Sequence, residues 1–313
     1  MVRNWTGALR MVTMVVGWAM PAGLEGTVRV SGSATALITG VVLLAAVLHA
    51  VWNALTHAIT DKIVAIAMLS CGGLLCSLVG IGIAGVPGRS SWPYLLASAL
   101  VQALYIIALT RSYSLGSFNQ VYPIARGTSP LVVAVVAALF LTEPLGGWQL
   151  AGVGAISIGL FSLVGVGGWP RSAERAAVFA AFATGLLIST YTVIDGLGVR
   201  RSDDPLAYAA WLFLFQGALL LSYCLLRRGP DLVGDVRPHL KLGVLAGVFS
   251  AGAYWLVLWA QSIGSLAAIA ALRESSVVIG AAIGAVVFRE PFGRWRTVAT
   301  VVVATGIIAL NLG

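Results

Sequence analysis

Charge is what this sequence has least of. Only 10% of its 313 residues are Asp, Glu, Lys or Arg, where a soluble domain carries about 25%, and 59% are hydrophobic. Mean hydropathy is +0.96. A chain this poor in charge belongs in a bilayer. Acids are scarcer than bases, 11 against 19, for a net charge of +8. That excess does not point to nucleic acid, because no soluble basic domain exists and Lys/Arg-rich loops are ordinary in membrane proteins. The lipid bilayer is the expected partner.

Cysteine and histidine are equally sparse. Cys71, Cys76 and Cys224 all lie in apolar stretches, at spacings that suit neither zinc nor a disulfide framework. His49 and His57 are eight residues apart, roughly 12 Å along a helix axis, and cannot share one metal ion. Neither a metal nor a cofactor is expected. There is no Walker A sequence, and the Gly-x-Gly of "GVGAISIG" (152–159) sits inside an apolar run, where small residues serve helix packing. No HExxH, Asp-rich or Gly-x-Gly-Asp motif occurs, so an intramembrane enzyme is the weakest reading. Alternating polarity is missing too, which rules out a β-barrel.

What is present is a series of continuous apolar runs. They fall at about 35–57, 63–86, 93–111, 119–141, 147–166, 175–195, 206–226, 241–260, 266–288 and 294–312. Each is near the ~20 residues that cross a bilayer core of ~30 Å. The expected class is an all-α polytopic membrane protein of ten transmembrane helices. Residues 1–33 stand apart: Arg3 and Arg10 precede "MVTMVVGWAM" and then "PAGLEG". This reads as a signal-like leader, a short extra span, or a start codon placed ahead of true initiation near Val28 or Val30.

The runs repeat. Shifting the chain by 147 residues lays "RGTSPLVVAVVAALFLTEPLGGWQLAGVGAISIGL" (126–160) on "RESSVVIGAAIGAVVFREPFGRWRTVATVVVATGI" (273–307), with nine of thirty-five positions identical. The matches include Arg126/Arg273, Ser129/Ser276, Glu143/Glu290, Pro144/Pro291 and Trp148/Trp295. Shared hydrophobicity does not produce matched Arg, Glu-Pro and Trp. The chain reads as two five-helix units, 34–166 and 174–313. Five is odd, so the units are inverted repeats, an architecture of alternating-access transporters.

The ten spans, the duplication and the twice-used "(T/R)EP" resemble the EamA-like branch of the drug/metabolite transporter superfamily. "HAVWN" (49–53) with "PIARGTSP" resembles a bacterial group within it. The resemblance implies a secondary transporter in the cytoplasmic (inner) membrane moving a small-molecule substrate. Amino acids or related organic anions are the default cargo, efflux is the expected direction, and proton or exchange coupling follows from the lack of an ATP site. A cation or multidrug exporter is the alternative. The superfamily usually keeps both termini in the cytoplasm. The loop charges argue against that here, since an internal amino terminus leaves six Lys/Arg inside and eleven outside.

Two arginines interrupt the spans. A charge at a span's centre costs at least ~2.5–3.5 kcal/mol on insertion scales. Arg126 and Arg273 each lie about seven residues into a span, which from opposite leaflets puts both roughly 5 Å from the midplane. Three readings stand side by side. The guanidiniums flank a cavity and bind a carboxylate or phosphate, they pair with Glu274 and Asp195 as scaffold or gate, or they snorkel to an interface.

Other polar residues supply further candidates. His49, Trp52 and Asn53 share a helix face. Tyr191 and Asp195 lie one turn apart, with Asp195 read as a helix cap or a coupling carboxylate and Glu274 as a partner of Arg273 or a carrier of the coupling proton. Gln102 with Tyr105, and Trp255 with Trp259, are candidate lining pairs. Pro123 and Pro130 bracket Arg126, and Glu143 and Glu290 read as turn residues.

Overall fold

The structure is a computed structural model, and it describes residues 32–57, 59–115, 118–141, 143, 145–163, 175–279 and 294–312. The leader expected over 1–33 therefore lies outside the described residues, apart from the start of the first helix. All described regular structure is helical. In chain order, α1 is Gly32–His57, α2 Lys62–Ala84, α3 Trp92–Leu115, α4 Phe118–Phe140 and α5 Gly147–Ser162. The second set is α6 Arg175–Val199, α7 Pro205–Arg228, α8 Leu240–Ile263, α9 Leu266–Arg273 and α10 Arg294–Leu312. A short helix, Asp231–Val236, and one 3-10 turn join α7 to α8.

Helix ends follow local chemistry. Asp61 accepts from the Ile63 and Val64 amides and starts α2, filling two of the donors every helix start leaves open. Asp204 does the same for Leu206 ahead of Pro205, whose missing N–H is no loss at a first helical position. Ser265 caps α9 through the Ala268 amide. Gly85 and Gly229 end α2 and α7 at φ 73° and 68°, the left-handed region that a side chain disfavours.

Seven described helices are long and apolar enough to cross a membrane by themselves. Two others are shorter: α5 has 16 residues, and the apolar part of α10 runs only over Thr297–Leu312. At 1.5 Å per residue a 16-residue helix rises about 24 Å, short of the ~30 Å core. The span expected over 266–288 also departs from expectation. It breaks at Glu274, where the Glu274 amide bonds to Ala271 O at 3.1 Å and the Val277 amide to Glu274 O at 3.0 Å. Helical residues resume over 275–279, and 280–293 lie outside the described residues.

Small residues bring the helices together. A Cβ on Gly72 of α2 would stand 2.7 Å from the Gly247 Cα of α8, so these two backbones touch. In α5, a Cβ on Gly152 would meet Gly306 O at 2.8 Å, and one on Gly159 would meet Ala299 O at 3.2 Å. The two pairings run in opposite directions along the chain, so α5 and α10 are antiparallel. The 147-residue shift exchanges one contact with the other: 152 maps to 299 and 159 to 306. The same exchange relates the α3–α6 packing to the α8–α1 packing, while α2 packs on α7. Large apolar side chains such as Ile83, Leu139, Ile158 and Phe179 face outward. Inside, the polar residues converge on the stretches 123–130 and 191–199, where every residue is buried.

Candidate functional site

Two helices and the break after one of them place a charged triad at the centre. Arg126 comes from α4, Arg273 ends α9, and Glu274 occupies the break after it; their exposures are 4%, 3% and 0%. Nη1 of Arg126 donates to both oxygens of Glu274 at 3.3 and 3.4 Å. Nη2 of Arg273 donates to Glu274 Oε1 and to Thr192 Oγ1, each at 3.5 Å. Both guanidiniums thus lean on one carboxylate. Their planes are covered by tyrosines: Tyr122 lies 5.4 Å from the Arg126 carbon and Tyr191 5.9 Å from that of Arg273, arrangements that favour a cation. The helix carrying Arg126 runs unbroken through Pro123 and Pro130.

The remaining Nη2 of Arg126 lies 2.7 Å from His49 Nε2. A guanidinium has only donors, so Nε2 accepts and its imidazole is neutral, with the proton on Nδ1. Trp52 packs edge-on against that ring at 4.9 Å.

A second polar node surrounds Asp195, which is fully buried. Oδ1 accepts from the Tyr208 hydroxyl at 3.0 Å; Oδ2 accepts from Gln102 Nε2 at 2.9 Å and from the Tyr254 hydroxyl. Asp195 forms no ion pair among the described residues, and its helix continues to Val199. The cap role expected of it is therefore corrected. The span extends one turn beyond residue 195, and neutral donors from α3, α7 and α8 hold the carboxylate in the interior.

Between these features lies a cavity of about 90 Å³, room for several water molecules. Its wall is built by α1, α2, α3, α6, α7 and α8, the first three helices of each half. His49, Trp52, Tyr105 and Tyr191 line it, together with Gln102. Arg126 and Arg273 do not line it; they stand behind, reaching the wall through His49 and Tyr191. Asn53 turns back along its own helix, donating to His49 O at 2.8 Å. Trp255 points outward, 36% exposed, and its neighbour Tyr254 takes the wall position. One residue along a helix rotates a side chain by about 100°, which sends the two to different faces. Tyr254, Ser70, Gln216 and Ser250 were not singled out in the sequence. Gln216 had a readable signal, a lone amide within "WLFLFQGALLL".

At one end of the bundle, Glu143 accepts from Arg200 Nη1 at 2.5 Å and from the Leu266 amide at 3.1 Å. Arg200 also donates to Gln261 O and Gly264 O. This matches the turn role expected of Glu143 and fastens α4, α6, α8 and α9 together. Glu290 lies outside the described residues.

Residues 175–312 match the model of the EamA-like transporter family. The second half thus resembles an EamA-like transporter unit, and the family it matches is one of membrane transporters. A protein of known crystal structure superposes with a TM-score of 0.72 at 19% identity, covering 90% of this chain and 97% of its own. At that identity the likeness is one of fold, and it extends across both halves. No curated protein matches the chain.

Proposed function

We propose that this EamA-like protein is a secondary active transporter that exports a small polar metabolite with an anionic group across a bacterial cytoplasmic membrane. Amino acids or related organic acids are the cargo it suits. The observation carrying this reading is the charge balance at the centre, where two buried guanidiniums face one carboxylate. An unbalanced positive charge in a low-dielectric interior draws an anion far more strongly than it would in water. The cavity beside it offers amide, hydroxyl and aromatic groups for the rest of the molecule. Halves 34–166 and 174–313, related by inversion, would rock about that cavity and open it to each side in turn.

A second reading, a cation or multidrug exporter, draws on Asp195 and the tyrosines Tyr191 and Tyr254, whose rings lie 6.3 Å apart. The cavity of about 90 Å³ disfavours it, because drug-sized sites run to ~300–1,000 Å³. The deciding test is thermal stabilisation of the purified protein, followed by flux into liposomes. Small carboxylates or phosphates should raise the unfolding temperature and be transported. Stabilisation by lipophilic cations alone would overturn the anion reading.

A further inference from the structure

Glu274 has no counterpart in the first half. The shift that lays Arg273 on Arg126 lays Glu274 on Gly127, so the repeat keeps the cation and adds a carboxylate on one side only. That single carboxylate is shared at 3.3–3.5 Å, longer than the ~2.7–2.9 Å of a tight charge-assisted bond. Nε of Arg273 is buried and has no acceptor among the described residues. The triad holds more donors than one carboxylate fills, and a second anion would supply the missing oxygens. Glu274 also sits at the junction after α9, where bonds to the third residue along replace the regular α-helical ladder.

Resting on the anion reading above, we propose that a small carboxylate displaces Glu274 from Arg126 and Arg273, and that Glu274 takes up one proton in the same step. A buried carboxylate stripped of its cations is strongly unfavourable, and it is relieved by protonation. The balance is simple: the Glu274 carboxylate and a proton become the carboxylic acid, and the incoming anion takes its place on the guanidiniums. The net charge of the triad is unchanged, so anion binding and proton uptake are coupled one to one, and release reverses both.

Arg126, Arg273 and Tyr191 face Glu274; behind them stand His49, Tyr105 and Tyr122 beside Arg126, and Asp195 beside Tyr191. Of these only the imidazole ordinarily titrates near neutrality. Its Nε2 already accepts from Arg126, and a proton there would set two donors against each other.

The experiment is calorimetric titration of the purified full-length protein with acetate, lactate and glutamate at pH 7.5, in two buffers of different ionisation enthalpy. The ligand carboxylates are already ionised there, so proton uptake belongs to the protein. About one proton should enter per carboxylate bound, and apparent Kd should rise ~10-fold per pH unit wherever Glu274 is ionised in the free protein. In Glu274→Gln the uptake should vanish and the pH dependence flatten. Binding without proton uptake in the wild type overturns the coupling by itself, whether or not the variant folds. Uptake that survives in Glu274→Gln and disappears in His49→Gln places the proton on the imidazole and overturns it too. If no carboxylate binds either protein, the anion reading itself falls.

Discussion

Arg126 and Glu274 are 148 residues apart in the chain and meet at 3.3 Å, with side-chain exposures of 5% and 0%. This contact joins α4 of the first half to the α9 break of the second. It makes the central arginines part of the scaffold as well as candidates for binding.

Arg126→Met should destabilise the protein by up to ~3–5 kcal/mol, the range for removing one partner of a buried ion pair. Arg273 still faces Glu274, so the loss should fall toward the lower end. Adding Glu274→Gln should recover part of it, and thermal unfolding of the four proteins in detergent gives the coupling energy. Strict additivity would mean that the pair contributes nothing.

Asp195→Asn replaces an acceptor of three hydrogen bonds with a group that must donate on one side. One of the surrounding donors is then left facing another, which should cost about 1–3 kcal/mol. Tyr208→Phe removes a single donor from Oδ1 and should cost less. Unfolding midpoints in the reverse order would show that the node is not held as described.

Gly306→Leu should be far more damaging than a leucine at Gly154, where a Cβ meets nothing within 4 Å. At Gly306 a Cβ would stand 2.8 Å from Gly152 O, and backbone cannot yield as a side-chain tip does. Overpacking of this kind typically costs ~1–3 kcal/mol. Size-exclusion profiles and unfolding temperatures of the two variants compare them directly.

Asp61, at the loop start of α2, gives a pH signature. Burial raises its carboxyl, but the Val64 amide, Arg228 and the Ile63 amide outweigh that and hold it below the ordinary value of 3.8. A depressed carboxylate stabilises the fold above its unfolded value, and this support is lost as pH falls through the folded value. Stability should therefore drop as the medium is acidified below about pH 4, the usual Asp range. Asp61→Asn should be less stable at neutral pH and should show a smaller acid-induced loss. Parallel acid dependences would assign the effect to other groups.

Trp52→Phe and Trp255→Phe separate wall from surface. Trp52 lines the cavity and its Nε1 has no partner among the described residues, whereas Trp255 faces outward. Cargo affinity should change only in the first, as read by thermal-shift titration.

Composition and periodicity were enough for the membrane class, the placement of every helix but the ninth within a few residues, and the duplication with its 147-residue register. These are local or self-comparing properties: apolar length must match the bilayer, and equivalent positions in two repeats meet similar surroundings. The same reading brought His49, Trp52, Tyr105 and Tyr191 forward, because polar and aromatic groups inside spans are costly to keep. Tertiary structure alone decided which of them meet. It put Tyr254 rather than Trp255 on the wall, held Asp195 among three neutral donors, and set Arg126 and Arg273 behind the cavity on one shared carboxylate. Those outcomes depend on helix rotation and on which distant helix packs alongside. A side chain's own helix fixes neither, so they became legible only once the ten helices had been assembled.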